Sequence, residues 1–350
     1  MMSDGKVKWG VIGSGGIARR RTIPEGIMKA AHATLVSVYD TDAAVNQSVA
    51  SQFGAQACNS IEALLNSGVD AVYVASPAYA HPEQVAMCAK SKKHVLCEKP
   101  LGLTVEEAES MTRVCSEEGV LLGTGLMMRF HAQHQEALRM VRDGRLGSLV
   151  YGRAQLSCWY PPIEGAWRQD PSTGGGGSLM DMGSHCIDLL GMYFGKIERV
   201  SCFINNLVHD YRSEDAAVVS LFFENGAMAT VDTCFCIPDD SSKNILEIYG
   251  SSGSILARGT IGQGEAGEMT AYLQRDVSDY DAVQARSSSD GLSVRPNPVN
   301  MYLAEIEAFS KAVLEGTLPP VSGLAGLESQ KILAACYESA RTGRIINVNY

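Results

Sequence analysis

Short, almost wholly apolar runs alternate with amphipathic stretches through the first third of the chain. Residues 7–12 (VKWGVI), 34–39 (TLVSVY), 70–75 (DAVYVA), 94–97 (HVLC) and 120–125 read as buried strands, and 61–65, 82–91 and 104–119 between them as helices. Thr104, with Glu107 three residues on, makes a capping box for the last of these helices. Strands and helices alternating with short connections predict a parallel, doubly wound α/β sheet, with ligands at the carboxyl ends of the strands. Those ends are Gly13, Asp40, Ser76, Glu98 and Met127.

The pattern changes near residue 129. Segments 151–159, 199–206, 216–223, 227–235 and 244–249 are rich in Val, Ile, Phe and Tyr, and Glu224-Asn225-Gly226 is a hairpin signal. They predict an open antiparallel sheet whose bare face would leave an apolar patch, and hence a homo-oligomer. Residues 262–297 read as a strand or two with long polar loops, and 299–315 and 325–342 as helices that pack on the sheet and on the first domain. The expected division is 1–128 and 129–350.

One stretch stands apart, GGGGSLMDMGSHCIDLLGMYFG at 174–195. A helix starting near Leu179 is largely apolar and polar mainly at Asp181, His185 and Asp188, which fall within about 60° of one another on a helical wheel. Burying such groups is costly without partners, and an imidazole flanked by carboxylates can accept a proton near neutral pH. The competing reading is a capping Asp and a satisfied core histidine. The four glycines before the helix read as a flexible approach.

Composition narrows the partners. Of 350 residues 45% are hydrophobic and 19% charged, as in ordinary globular proteins, and the net charge of −10 would repel nucleic acid and anionic membranes alike. Small molecules or other protein chains are the expected partners. The leading MMSDGKVKWG has no apolar signal region, and no apolar run is long enough to span a bilayer, which points to the cytoplasm. The ten cysteines show no C-x-x-C spacing and read as reduced.

The strand at 7–12 runs into Gly13-Ser14-Gly15-Gly16-Ile17-Ala18, a G-x-G-x-x-A turn at a helix start, where free N–H groups and the helix dipole favour a pyrophosphate. The second strand ends in Asp40, which suits the adenosine ribose hydroxyls and repels a 2′-phosphate; residues 41–45 hold no arginine, so NAD is favoured over NADP. Lys99, beside Glu98 at a strand end, can donate a hydrogen bond to a substrate hydroxyl, or it is simply half of a surface ion pair. Trp159, Tyr160 and Trp167-Arg168 set aromatic rings beside polar donors, which suits a sugar as well as plain packing.

The glycine turn, His94-Val95-Leu96-Cys97-Glu98-Lys99-Pro100, and Gly175-Gly176-Gly177 leading to Asp181 and His185 together resemble the glucose-fructose oxidoreductase/inositol dehydrogenase/MocA (Gfo/Idh/MocA) family over essentially the whole chain. The resemblance implies an N-terminal Rossmann domain and a C-terminal α+β domain with a large, mostly antiparallel sheet that often mediates oligomers. It implies an NAD-dependent oxidoreductase acting on a secondary hydroxyl of a sugar, polyol or glycoside, with a cis Lys99–Pro100 bond. Lys99 becomes the active-site lysine, Asp181 its acidic neighbour and His185 the general base. Cofactor contacts fall on Gly13 to Ile17, Asp40, Ser76, His81, Glu98, Lys99 and Met127, with Trp167, Arg168 and Tyr302 reaching back from the second domain. Arg129 and Tyr160 join Lys99, Asp181 and His185 on the substrate side, and no residue is assigned to a metal. Two other classes compete: a nucleotide-binding regulator without catalysis, and a metal-dependent lyase or hydrolase built on Asp181, His185 and a third ligand.

Overall fold

A computed structural model describes residues 5–273 and 290–350. The part of the 262–297 expectation that falls on 274–289 lies outside the described residues. The first sheet contains β1 (Val7–Ile12), β2 (Ala33–Tyr39), β3 (Gln56–Ala57), β4 (Ala71–Val74), β5 (His94–Glu98) and β6 (Leu122–Gly125), in the order β3-β2-β1-β4-β5-β6. Every pairing is parallel. The order reverses between β1 and β4, so the crevice that receives ligands opens beside the turn after β1. Gly13 sits there at φ +76°, and a Cβ on it would lie 2.5 Å from the Ser76 backbone nitrogen. Only glycine lets these two strand exits lie so close.

The segment following the turn, Ala18–Ile27, where the sequence reads as a helix start, is wound with i→i+5 bonds and contains Pro24. Helix Ala43–Phe53, capped by Asp42, completes the unit between β2 and β3. The chain returns to this domain late: in helix Met301–Glu315, Phe309 packs on Trp9 with ring centroids 5.5 Å apart, and the Trp9 indole donates to Ser310 Oγ at 3.1 Å.

The second sheet is formed by β7 (Leu149–Ser157), β8 (Ile197–Asn205), β9 (Ala216–Phe223), β10 (Met228–Cys234), β11 (Ile245–Gly250), β12 (Gly253–Arg258), β13 (Glu268–Leu273), β14 (Leu292–Ser293) and β15 (Ile346–Asn347). Its order is β14-β13-β12-β11-β7-β10-β9-β8-β15, antiparallel throughout except where β7 and β10 run parallel. Alternation turns Ala154, Leu156, Val219, Leu221, Val231 and Ile248 inward beneath helix Ser184–Phe194, which contributes Cys186, Ile187, Leu189 and Leu190. The outer face is less uniformly apolar than the expected patch. Phe203, Val218 and Met228 are exposed on it, but Tyr151 paired with Thr230 and Arg153 paired with Asp232 lie half-buried there as well. All ten cysteines are free, and no helix of the described residues is long and apolar enough to cross a membrane.

Candidate active site

A cavity of about 650 Å³ lies where the carboxyl ends of the first sheet meet the second domain. Its nucleotide side is lined by Gly16, Ile17, Ser76, Glu98 and Met127, and its far side by Tyr160, Trp167, Arg168, Asp181, His185 and Tyr302, with Lys99 between them. Two thirds of the expected site residues therefore share one space. Gly13, Ser14, Gly15 and Asp40 stand just outside it and shape the turn: Asp40 Oδ2 accepts from the Gly15 N–H at 2.9 Å, and its Oδ1 from Asp42 N–H at 3.1 Å.

Two expected residues lie elsewhere. His81, assigned to the loop over the cofactor, is buried, its ring held between the Ser76 and Pro100 carbonyls, each 2.9 Å away; it supports the loop from behind. Arg129, expected on the substrate side, opens onto a separate groove and clasps Asp188, at 2.8 Å from Nε and 2.5 Å from Nη2. Asp188 thereby leaves the stripe it was expected to share with Asp181 and His185. Residues Leu179–Gly183 are wound with i→i+5 bonds before the α-helix Ser184–Phe194 begins, so Asp181 does not keep unbroken α-helical spacing to His185, while Asp188, three residues past His185 in the regular helix and about 60° round from it, faces the groove rather than the cavity.

That wide turn is fixed from below. A Cβ on Gly177 would sit 2.0 Å from the Glu214 carbonyl oxygen, and one on Gly176 would sit 1.8 Å from the Tyr337 hydroxyl. The glycine run is thus a close-packed approach rather than the flexible one expected. Glu214 Oε1 accepts from the N–H groups of Gly177 and Leu179 and from the Tyr337 hydroxyl, at 2.9, 3.0 and 2.9 Å. Glu214 went unnoticed because a lone acid in a loop carries no sequence signal.

Lys99 follows β5, and its bond to Pro100 is cis. Its ammonium donates to the Asp181 carbonyl at 2.7 Å and to Asp181 Oδ1 at 2.6 Å. Arg168, stacked on Trp167, donates to the same Oδ1 at 3.0 Å. Burial opposes ionisation of Asp181, but the charges of Arg168 and Lys99 outweigh it and hold the carboxyl well below the usual range. His185 lies beside this cluster with its Nδ1 buried and unpartnered among the described residues. Burial, reinforced by the Lys99 charge and opposed by Asp181, lowers it to about 3, so the ring is neutral at physiological pH. Glu98 accepts a hydrogen bond from the buried Tyr73 hydroxyl, and burial pushes its carboxyl up.

The turn after β1 fits a dinucleotide. A Cβ on Gly16 would meet nothing within 4 Å, leaving backbone free to approach a phosphate. Ser14 Oγ is buried and has no partner among the described residues, as expected of a hydroxyl whose acceptor is a ligand. Among those residues no group of three or more His, Cys, Asp or Glu side chains is arranged to hold a metal.

Residues 7–126 match the model of an oxidoreductase family with an NAD-binding Rossmann fold, and residues 134–256 match the GFO/IDH/MocA C-terminal domain. Myo-inositol 2-dehydrogenase of Thermotoga maritima is 30% identical over 267 residues, 75% of either chain. The chain belongs to the Gfo/Idh/MocA family. Like its relatives, this Gfo/Idh/MocA protein is an NAD(P)-dependent oxidoreductase. It is also similar to 1,5-anhydro-D-fructose reductase of Ensifer adhaerens, 28% identical over 97% of this chain and 98% of the relative. The crystal structure of aldose-aldose oxidoreductase from Caulobacter crescentus, complexed with glycerol, shares the fold with a TM-score of 0.87 and 25% identity, covering 98% of this chain and 99% of the other.

Proposed function

We propose that this enzyme is an NAD-dependent dehydrogenase acting on a secondary hydroxyl of a sugar, polyol or glycoside, or on the corresponding ketone in the reverse direction. The observation that carries the reading is the spare valence of Lys99. An ammonium has three hydrogens; two point at Asp181, and the third is free for a substrate oxygen in the same cavity as a neutral His185. Bound nicotinamide dinucleotide supplies the hydride acceptor or donor. Lys99 orients the alcohol oxygen and stabilises negative charge as it grows there, Asp181 and Arg168 hold the ammonium in place, and His185 takes the hydroxyl proton. Trp167 and Tyr160 offer ring faces to the apolar side of a sugar, while Arg168 offers donors to its hydroxyls. The acidic Asp40 favours NAD over NADP.

The relatives support the substrate class, since their names include an anhydro-sugar reductase and an inositol dehydrogenase. The reading extends to assembly and place: a second copy of the chain covers the open face of the second sheet around Phe203, Val218 and Met228, and the enzyme works in the cytoplasm on small molecules, with no nucleic-acid or membrane partner. The test is to denature the purified protein, identify any released nucleotide, and screen sugars, polyols and glycosides for reduction of NAD. NAD release and turnover of at least one polyhydroxy substrate are expected; turnover with none of them, or dependence on NADP alone, would overturn the reading. Domains split at 128/129 are likewise proposed, a boundary that falls inside the turn Met127–Phe130.

A further inference from the structure

His185 is oriented by nothing within its own ring. Its Nδ1 is buried and unpartnered among the described residues, so the ring's height in the cavity depends on where helix Ser184–Phe194 sits. Three residues along that helix, Asp188 has a side chain only 3% exposed. Among the described residues its carboxylate takes hydrogen bonds from Arg129 alone, at 3.0 and 2.8 Å from Nε and 2.5 Å from Nη2. Arg129 directly follows Met127 and Met128, which line the cavity. A planar guanidinium held at both carboxylate oxygens fixes distance and orientation together. We propose that the Arg129–Asp188 pair is a positioning device, which locks the helix carrying His185 to the turn carrying Met127 and so sets the proton acceptor against the nicotinamide side of the cavity. Neither residue touches substrate. The inference rests on the dehydrogenase reading above.

The alternative is a staple that merely holds the fold. Removing one partner leaves a buried charge unpaired, which destabilises any protein, whereas removing both with neutral residues of similar shape relieves that cost. The experiment therefore compares wild type, Asp188→Asn and the double variant Arg129→Gln/Asp188→Asn. It reads the melting temperature, NADH affinity and the single-turnover rate of hydride transfer. Tyr350→Phe serves as control: it removes the hydroxyl that donates to the Ile197 carbonyl and accepts from its N–H in the same groove, and neither residue lines the cavity.

Asp188→Asn should lower the melting temperature, and the double variant should regain most of that loss. Both should transfer hydride at least tenfold more slowly than wild type, with NADH affinity within threefold of it, while Tyr350→Phe keeps its rate. A double variant that regains the rate along with the melting temperature would overturn the inference, since unpaired charge alone would then explain the defect. Nuclear magnetic resonance of the unliganded protein gives a second readout. The His185 ring signals, assigned by their loss in His185→Gln, should shift in the double variant, and signals that stand still would also overturn it. A wild-type enzyme that transfers no hydride defeats the dehydrogenase reading instead, and leaves the ring's placement to be decided by these spectra.

Discussion

At the scale of single residues, one carboxylate does three jobs. Asp181 accepts from Lys99 and Arg168 and lies within the field of His185, so it holds two cations beside a ring that must stay neutral. Lys99→Ala and His185→Asn should each lower kcat by about 10²- to 10⁴-fold, the range typical of lost acid–base groups. NADH affinity, measured by fluorescence titration, should change little. Asp40→Ala should narrow the preference for NAD over NADP, read as the ratio of the two kcat/KM values. Acid should act through the buried imidazoles. His185 and His134 are both lowered to about 3, chiefly by burial, so between their unfolded value near 6.5 and that figure only the unfolded chain binds their protons. Their contribution is intact above pH 6.5 and lost progressively as pH falls toward 3. Melting curves across that range should show His134→Gln losing less stability with acid than wild type.

At the scale of elements, backbone contacts dictate where the helix carrying His185 starts. Gly177→Ala would drive a Cβ into the Glu214 carbonyl, so the variant should lose both stability and activity; overpacking of this kind costs roughly 1–3 kcal/mol or more, measurable by urea unfolding. Strands were legible in the sequence in two ways: 7–12 coincides with β1, buried on both faces and hence a nearly continuous apolar run, and 216–223 with β9, whose alternating burial gives a period of two. Helices Ala43–Phe53 and Ala132–Arg142 were missed. The first buries only Asn46, Val49 and Ala50, too few apolar positions to announce a face, and the second is crowded with polar residues of which Gln133 and His134 are buried. Lys99, Asp181 and His185, which line one cavity, were legible as candidates because they are reactive residue types on recognisable segments. Asp188 and Arg129 were misplaced because the pairing of two side chains 59 residues apart leaves no trace in local spacing.

At the scale of the whole molecule, the chain threads both domains more than once. Helix Met301–Glu315 returns to Trp9, and helix Gly323–Thr342 places Leu333 and Cys336 in the core of the second domain while Leu327 packs against that of the first. The two domains on either side of the cavity are therefore tied by late helices that pack on both. Paired substitutions Phe203→Glu and Val218→Glu, on the exposed face of the second sheet, should lower the molar mass seen by light scattering without unfolding the chain. The most direct test of the whole account is single-turnover hydride transfer, followed by the absorbance of reduced nicotinamide with the best substrate from the screen. Wild type should form NADH in a single rapid phase, and Lys99→Ala and His185→Asn should slow that phase at least a hundredfold while binding NADH as wild type does. A rate within a few-fold of wild type in either variant would contradict the account.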